Sequence, residues 1–326
     1  MNLNSPTHIA LLFVFLWSTG YIAFKFCSPH IEPATFVVIR TGATAACIYL
    51  ISIAMGFRWP NNWLDIVPSI VVGILIHGFY AGGLFASIYH GIDITLCALI
   101  LSLQPMFTVL LSCVFLSEKL TVRIFVGVVV SFVGISIMIL EGGTSAIQIA
   151  TLDEEIHNSK NQLISIALCF IALLAISCAT IIQKRFGNKI ELMPGAFIQF
   201  SSAMYFMIPF ALAFETMQIN WNPEFSLSLG WLVIVVSIGA MTLLMTLIKH
   251  DRASIVANLF YLVTPVVAIE SWILFGEKLS ITSIVGMLIC MFGVFVVNYS
   301  STFKLSVTSL IALFKQESLK RPAHQG

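Results

Sequence analysis

Charged residues are scarce in this sequence, and their scarcity excludes most soluble folds. Asp, Glu, Lys and Arg make up 10% of the 326 residues, whereas hydrophobic residues make up 59%. Soluble globular domains usually contain about a quarter charged residues. Together with a mean hydropathy of +0.99, this composition predicts a protein whose solvent is the lipid bilayer.

The sequence also lacks the common signatures of catalysis. It has no HExxH metalloprotease motif, no GxSxG nucleophile motif and no phosphate-binding P-loop. Its seven cysteines lie in or beside apolar runs and show no Cys-x-x-Cys spacing, so we interpret them as small apolar side chains. We therefore expect no enzymatic activity, no cofactor, no bound metal and no nucleic-acid partner.

Long apolar runs are abundant, and ten of them can cross a bilayer. A helical span needs about 20 apolar residues, and each span should be an α-helix because its backbone polar groups find no water in hydrocarbon. The sequence thus predicts an all-α polytopic membrane protein with ten transmembrane helices. The predicted spans are 9–27, 35–56, 64–89, 94–116, 121–140, 162–182, 194–214, 227–248, 253–275 and 280–299.

The basic residues predict the orientation, because Lys and Arg concentrate in cytoplasmic loops. With the N-terminus inside, only Lys25, Lys160 and Lys278 of the sixteen Lys and Arg residues lie outside, and Arg40 lies within a span. We therefore expect both termini to be cytoplasmic.

A repeat divides the chain in two. Glu118-Lys119-Leu120 of the first half recurs as Glu277-Lys278-Leu279 in the second, and the shift that carries Glu118 to Glu277 also aligns other residues. These are Gly127 with Gly286, Gly134 with Gly293 and, with a slip of one residue, Pro105 with Pro265. The predicted units are two five-helix repeats, 1–145 and 162–300, joined by an external loop, 146–161, and followed by a cytoplasmic amphipathic tail, 301–326.

Because five spans are an odd number, the second repeat enters the membrane from the opposite side, as in transporters built from inverted repeats. Glu118 and Glu277 then lie at opposite faces of the membrane. We expect each to cap the helix that follows it, with a gating role as the alternative. Gly127, Gly134 and their equivalents are expected to allow close helix packing.

Several stretches resemble one transporter family. They include LWSTGYIAFK, EPATFVVIRTGATAA and LQPMFTVLLSCVFLSEKLTVRIFVGVVVSFVGISI, with YLVTPVVAIESWILFGEKLSITSIVGMLICMFGVFVV repeating the last in the second half. Over roughly 9 to 300 the chain resembles the ten-helix EamA-type transporters of the drug/metabolite transporter superfamily. The resemblance implies gradient-driven transport of small metabolites, often export of amino acids or related compounds, and location in a bacterial inner membrane. It also implies an Arg at position 40, whereas Glu270 departs from the family pattern.

Two prolines near the middle of spans four and nine mark the expected substrate pathway. Pro105 and Pro265 each remove a helical hydrogen bond, and matching broken helices in the two halves indicate a central binding site. The alternative is a packing kink. Polar residues near the prolines belong to the same expected cavity: Gln104, Asn258 and Tyr261.

Ionisable residues within spans are functional hypotheses by default. Arg40 suits a substrate carboxylate, with snorkelling or a structural pair as the alternative. Glu270 is a hypothetical proton carrier unless a cation such as Arg40 keeps it ionised. His77, with Tyr80 one turn later, has a pathway role or simply packs.

Three further residues lie towards the mouths of the predicted pathway. Lys25 at the outer mouth attracts anions or merely reaches the interface, and Gln183 and Gln199 lie nearer the inner mouth.

The leading hypothesis is a secondary active transporter, expected to export amino acids or related zwitterions and carboxylates by alternating access. A channel or lipid-handling protein is the alternative, and a membrane enzyme is less favoured. The expected partners are a small-molecule substrate, membrane lipids and a coupling proton.

Overall fold

The computed structural model describes residues 6–115, 122–147, 152–186, 190–240, 242–243, 253–277 and 280–296. In these ranges the chain is helical apart from short connections and a single antiparallel bridge between Ile31 and Ile219. Six helices are long and apolar enough to cross a membrane, and four shorter apolar helices accompany them. The prediction of an all-α polytopic membrane protein is confirmed.

Ten helices, α1 to α10, occur in the described residues and follow the predicted spans closely. Their bounds are α1 Pro6–Cys27, α2 Pro33–Ala54, α3 Trp63–Tyr89, α4 Ile94–Leu101 with Gln104–Phe115, α5 Val122–Ile147, α6 Leu152–Phe186, α7 Leu192–Phe214, α8 Pro223–Ala240, α9 Ala253–Phe275 and α10 Ile281–Val296. The predicted loop 146–161 is helical from Leu152 onward. Hydropathy predicts a later start, at 162, because Asp, Glu and Lys are compatible with a helix but not with lipid.

Polar residues just before the apolar runs fix where several helices begin. Asn62, Asp93 and Asn222 each accept a hydrogen bond from a backbone N–H in the first turn of α3, α4 and α8, and Ser280 does so for α10. These N–H groups have no partner within the helix, so the side chains supply one. Ser280, rather than Glu277, is thus the capping residue of α10.

Two kinds of irregularity interrupt the helices. The first is a tight turn in α4 at residues 102–103, directly before Gln104 and Pro105, where Leu103 N bonds the carbonyl of Ile100 at 3.2 Å. The predicted matching break in α9 is wrong, because α9 continues through Pro265. A proline removes one donor only, and a membrane helix tolerates that loss when its neighbours hold it.

The second irregularity is a pair of π-helical segments, Ile74–Tyr80 in α3 and Trp231–Ala240 in α8. Adding the repeat shift to the first segment gives 233–239, which lies inside the second. The two halves therefore share a local backbone conformation that is rare and often found at functional sites.

Helix pairing follows a two-fold relation between the halves. Each helix in α1–α5 has its repeat equivalent in α6–α10. Helix α2 packs on its own equivalent α7, and α4 packs on its equivalent α9. The other large contacts between the halves occur as equivalent pairs: α1–α9 with α6–α4, α3–α7 with α8–α2, and α3–α6 with α8–α1. The halves are therefore related by an internal two-fold axis.

The α5–α10 crossing shows that this axis inverts one half relative to the other. Ser131 Oγ donates to the carbonyl of Cys290, its own repeat equivalent, at 3.2 Å. On either side of this contact, Gly134 lies against Gly286 and Gly293 lies against Gly127. One helix thus ascends where the other descends, which confirms the inverted repeats. The boundaries of the predicted units remain predictions.

The two ends of the bundle each contain an acidic residue, Glu277 at one end and Glu191 at the other. The Glu277 end comprises 28–32, 90–93, 215–222 and 276–277, and the Glu191 end comprises 55–62 and 190–191. At the first, Glu32 accepts from Met217 N at 3.0 Å. At the second, Glu191 accepts from Arg58 N at 3.0 Å. The repeat shift converts the first bond into the second, so both ends are tied in the same way.

Candidate functional site

A small cavity lies in the middle of the bundle. Trp17 and Tyr21 of α1 and Tyr80 of α3 form its aromatic walls, while Ser102 and Gln104, at the break in α4, supply polar groups. The lining is completed by Ala98, Leu101 and Val263. Its volume is about 10 Å³, roughly what a single water requires. The structure therefore presents the central site in a contracted form.

Repeat symmetry places this cavity on the internal axis. Gln104 and Val263, which both line it, are repeat equivalents on α4 and α9. Gln104 Nε2 donates to Thr180 Oγ1 at 3.2 Å, and Thr180 is the equivalent of Tyr21. Tyr21 and Val263 thus form an aromatic and apolar pair, and their repeat equivalents Thr180 and Gln104 form a hydroxyl and amide pair.

Arg40 is a buried cation without an acidic partner among the described residues. It is 7% exposed, one terminal nitrogen donates to Ser237 Oγ at 3.2 Å, and Nε is buried with no hydrogen-bond partner in the part of the chain that the structure describes. Its guanidinium lies 5.2 Å from the centre of the Phe24 ring and within electrostatic reach of Tyr80. A cation buried this deeply is costly, so the site favours an anionic ligand.

Aromatic packing explains how Arg40 is held. Phe36 and Phe85 stack with ring centres 3.8 Å apart, and Phe24 meets both edge-on at 5.5 and 5.9 Å. This cluster provides a π-face for the guanidinium and keeps water away. It offers no carboxylate, and the predicted alternative in which Arg40 pairs with Glu270 is not what the structure contains.

Glu270 lies at the α1–α9 contact. Ser18 Oγ lies 2.8 Å from Oε1, and Oε2 is buried without a partner in the described part of the chain. Ser18 also lies 2.8 Å from the carbonyl of Phe15, so its single proton is shared between two acceptors. An ionised carboxylate with so few donors is poorly stabilised.

Lys25 makes an ion pair at the Glu277 end. Its ammonium contacts Oε1 of Glu277 and lies 4.4 Å from the centre of the Phe275 ring, while Ser271 donates to Oε2 of Glu277. Both partners of the pair are partly exposed, Lys25 by 31% and Glu277 by 24%. Lys25, for which the sequence predicted attraction of anions or a reach to the interface, thus cross-links α1 to the α9–α10 connection.

Asp93, in the α3–α4 connection, faces the same ion pair. The residue as a whole is exposed, but its carboxyl is packed within the protein, and this burial raises its pKa above the ordinary value. The neighbouring Glu277 carboxylate raises the Asp93 pKa further, whereas the bond from Leu96 N opposes the shift. Asp93 is therefore a titratable neighbour of the Lys25–Glu277 pair.

Other predicted residues lie away from the cavity. His77 stacks on Phe200 with ring centres 3.7 Å apart, which favours its packing interpretation. Gln199 donates to Gln183 at 3.2 Å, and it is the repeat equivalent of Arg40, so these two glutamines form the matching position in the other half. Pro105 follows the cavity residue Gln104 directly, and Pro265 is half-buried in α9.

Some predictions fall outside the described residues. These are the side chains of Asn258 and Tyr261, the Glu118 motif and the amphipathic tail 301–326.

Besides the apolar lining, the sequence analysis missed three aromatic or polar wall residues of the cavity: Trp17, Tyr21 and Ser102. An available signal was the spacing of Trp17 and Tyr21, which places both on one face of α1. For Ser102 the signal was its place at the break, shortly before Pro105.

Comparison with known proteins places this architecture in context. The model of the EamA-like transporter family matches residues 7–140 and 163–299, one match for each half. The uncharacterized transporter YvbV of Bacillus subtilis is 22% identical over 303 residues, covering 90% of this chain and 93% of that protein. An uncharacterized transporter of Archaeoglobus fulgidus is 24% identical over 294 residues, covering 89% and 97%. A solved crystal structure superposes with a TM-score of 0.59 at 18% identity, covering 90% of this chain and 96% of that one.

Proposed function

The chain belongs to the EamA-like transporter family, and on this basis we propose that it is a secondary active carrier of small zwitterionic or carboxylate metabolites. Amino acids and related compounds are the substrate class, and export is the proposed direction. The mechanism is alternating access: the two inverted halves rock around the central cavity so that it opens to one side of the membrane at a time.

Arg40 is the observation that supports an anionic substrate group. The guanidinium is buried, an aromatic cluster surrounds it, and no carboxylate within the described residues neutralises it. A carboxylate ligand would supply the missing charge and would bind the planar donor fork in a bidentate way. Tyr80 connects this cation to the cavity wall, because it lines the cavity and lies within electrostatic reach of Arg40.

The size of the cavity supports moving halves rather than an open pore. A cavity of about 10 Å³ is far below the several hundred Å³ of ordinary ligand sites. A metabolite can enter only if the helices separate. The walls that must separate are α1, α3, α4 and α9, which come from both halves.

Counterflow in liposomes tests this function. Purified protein is reconstituted with an internal pool of unlabelled L-amino acids and simple carboxylates, and accumulation of each labelled compound is measured. A carrier accumulates its labelled substrate transiently against the gradient, whereas a channel cannot. Absence of counterflow for every compound in the panel would contradict the proposal.

Substitution of Arg40 tests the role of the buried cation. Arg40→Ala is expected to reduce counterflow of carboxylate-bearing substrates at least about tenfold, the effect of losing one buried charge-assisted hydrogen bond. Arg58→Ala is the matched control, because it removes the same charge from an exposed loop residue. An unchanged substrate profile in Arg40→Ala would end the carboxylate proposal.

Glu270 supports proton coupling. One oxygen has only a shared hydroxyl as donor and the other has no partner among the described residues, so a proton would stabilise this carboxyl group. Glu270→Gln should abolish acceleration of transport by an imposed pH gradient but leave counterflow at a constant pH. Glu224→Gln, an exposed acid in the first turn of α8, is the control. Retention of the full pH dependence in Glu270→Gln would exclude this role.

Orientation in the membrane is proposed from the charge distribution. Both termini would be cytoplasmic in a bacterial inner membrane, so that the Glu277 end faces outward. Topology reporters fused after residues 150 and 187 provide the measurement. Residue 150 should report an external position and residue 187 a cytoplasmic one, and the reverse assignment would refute the orientation.

A further inference from the structure

Ser237 contacts the buried guanidinium of Arg40 from the other half of the chain. Arg40 lies on α2 and Ser237 lies on α8, and a terminal nitrogen of Arg40 donates to Ser237 Oγ at 3.2 Å. Both residues are 7% exposed. Within the described part of the chain, this is the only hydrogen bond of the Arg40 side chain. It joins the two halves at the cation that the proposed substrate would bind.

This contact lies about one helical turn from the central cavity. The guanidinium lies over the ring of Phe24, which follows the cavity residue Tyr21 by three positions on α1. On α8, the residue directly before Ser237 is Val236. A Cβ built on Gly20, the neighbour of Tyr21, would lie 3.4 Å from a methyl carbon of Val236. A ligand that fills the opened cavity therefore has the guanidinium and the hydroxyl together at one end.

The proton of the Ser237 hydroxyl is available for a ligand. A hydroxyl has one hydrogen to donate and two lone pairs that accept, and towards Arg40 it can only accept, because a guanidinium has no acceptor. Ser237 donates to no carbonyl of its own helix in the part of the chain that the structure describes. Five fully buried serines, in contrast, each donate to the carbonyl four residues earlier: Ser52, Ser87, Ser131, Ser165 and Ser177.

The π-helical segment of α8 explains this difference. In an α-helix, the carbonyl four residues earlier is within reach of a serine hydroxyl, and the five other serines lie in α-helical stretches. A π-helix instead bonds residue i to residue i+5, which widens the turn and moves that carbonyl. Ser237 lies inside the π-helical segment Trp231–Ala240. The rare backbone conformation thus directs its hydroxyl towards Arg40 rather than towards its own helix.

The fold itself does not require this contact. The repeat shift relates Arg40 to Gln199 and Ser237 to Gly78. The equivalent helix pair, α3 with α7, therefore packs without a cation and without a hydroxyl at these positions, although it includes the equivalent π-helical segment Ile74–Tyr80. A bond that the architecture needed would be present in both halves. Its presence in one half alone points to a task in binding.

Donors remain on Arg40 for a bidentate carboxylate. A guanidinium carries five N–H groups, and Ser237 accepts one of them. Nε has no hydrogen-bond partner among the described residues, and it forms one edge of the planar group together with the terminal nitrogen that contacts Ser237. A carboxylate bound along this edge would lie beside the Ser237 hydroxyl.

We propose that Ser237 is a substrate-binding residue, and that a carboxylate bound at Arg40 is held by both halves of the chain. Ser237 Oγ continues to accept from the guanidinium and donates its own proton to one carboxylate oxygen, while Arg40 donates to both oxygens. The bound carboxylate thereby links α2 of the first half to α8 of the second. This inference rests on the proposed carboxylate substrate and adds a second binding residue for it.

Binding of acetate to the purified protein tests the proposal without knowledge of the transported compound. The melting temperature in detergent is measured at rising concentrations of sodium acetate. Sodium chloride at the same ionic strength and acetamide, which has a similar shape without the charge, are the references. The variants are Ser237→Ala, Ser237→Thr and Ser52→Ala. Ser52 is the matched control, because it is a buried serine of α2 whose hydroxyl donates to the carbonyl of Ile48 in its own helix.

Acetate should raise the melting temperature of the parent above that in either reference, since a ligand that binds the folded state stabilises it. Ser237→Ala should raise the acetate concentration for the half-maximal shift at least about tenfold, the effect of losing one hydrogen bond to a charged group. Ser237→Thr and Ser52→Ala should respond as the parent does. With Arg40→Ala already present, Ser237→Ala should have no further effect, because both residues serve one ligand. An equal response of Ser237→Ala and Ser52→Ala, or no response of the parent, would overturn the proposal.

A second pair of variants covers poor folding of Ser237→Ala. Ser237→Thr and Ser237→Val have the same shape and differ in the hydroxyl, so a stronger acetate response of the Thr variant supports the proposal and equal responses overturn it. The acetate response is also independent of counterflow. Carboxylate counterflow that is equal in Ser237→Ala and Ser52→Ala would refute the binding role and leave the carrier intact. A hydroxyl-dependent acetate response without counterflow would support the binding role and refute the proposed transport.

Discussion

The glycines at the α5–α10 crossing make a sharp test of the inverted-repeat packing. A Cβ atom built on Gly134 would lie 2.5 Å from the backbone nitrogen of Cys290 and 2.5 Å from the carbonyl oxygen of Gly286. Favourable contacts begin at about 3.5 Å, so the two backbones would have to separate by about 1 Å. Backbone atoms of packed helices cannot move aside as a flexible side chain can. We therefore expect Gly134→Ala to be destabilising.

The expected magnitude follows from two opposing effects. Overpacking costs about 1–3 kcal/mol, while Ala in place of Gly within a helix contributes up to about 1 kcal/mol in the other direction. Gly230→Ala isolates the second effect, because no atom lies within 4 Å of a Cβ built there. Gly134→Ala should therefore unfold at a lower temperature than the parent in detergent, and Gly230→Ala at the same or a higher temperature.

Symmetry adds a stricter expectation. Gly293, the equivalent of Gly134, would place a Cβ 2.6 Å from the backbone nitrogen of Ser131, so Gly293→Ala should cost a similar amount. The double variant should cost less than the sum of the two, because the separation forced by the first methyl group also makes room for the second. Equal melting temperatures of Gly134→Ala and Gly230→Ala would refute the close packing.

Three further predictions concern other contacts. Gly73→Ala should destabilise the α3–α7 pair, since its Cβ would lie 2.3 Å from a backbone oxygen of α7, and a melting temperature equal to the parent's would contradict it. Glu215 accepts three hydrogen bonds at the start of α2, so Glu215→Gln should cost about 1.5–3 kcal/mol in chemical unfolding, while Glu224→Gln should be neutral. The raised pKa of Asp93 means that the folded Glu277 end is stabilised at low pH and loses this stabilisation as rising pH ionises Asp93 beside Glu277. The melting temperature of the parent should therefore fall relative to that of Asp93→Asn as the pH rises above the ordinary Asp pKa of about 3.9, and an identical pH dependence of the two proteins would contradict it.

Much of the fold could be predicted because its signals are local in the sequence. Apolar runs locate the helices, and the repeated Glu-Lys-Leu motif relates the halves. The partner of Lys25 could not be predicted, because it lies 252 residues away and depends on how two helices are rotated against each other. The residues beside Pro105 likewise indicated a polar site, and Tyr80 was predicted, but Trp17 and Tyr21 of the aromatic wall were not, since they have no charge to mark them among apolar residues.

Pro265 shows a different limit. Its chemistry is the same as that of Pro105, yet the helix around it is continuous. Whether a proline ends a helix depends on the tertiary contacts that hold the two sides together, and a single sequence does not contain them. The π-helical segments were missed for the same reason, because backbone widening has no residue signature of its own.

The clasps formed by Glu32 with Met217 and by Glu191 with Arg58 have a mechanical consequence. If the two halves exchange conformations, as proposed, the hydrogen bond of Glu32 takes the form of that of Glu191 and the reverse, and both bonds are already present. The crossing of α5 and α10 at Ser131 and Cys290 also maps onto itself, because these two positions are repeat equivalents. These contacts are therefore the same before and after the proposed exchange, so they need not break during it. In the proposed alternating access, the movement would therefore occur at other contacts, while the two ends and this crossing stay joined.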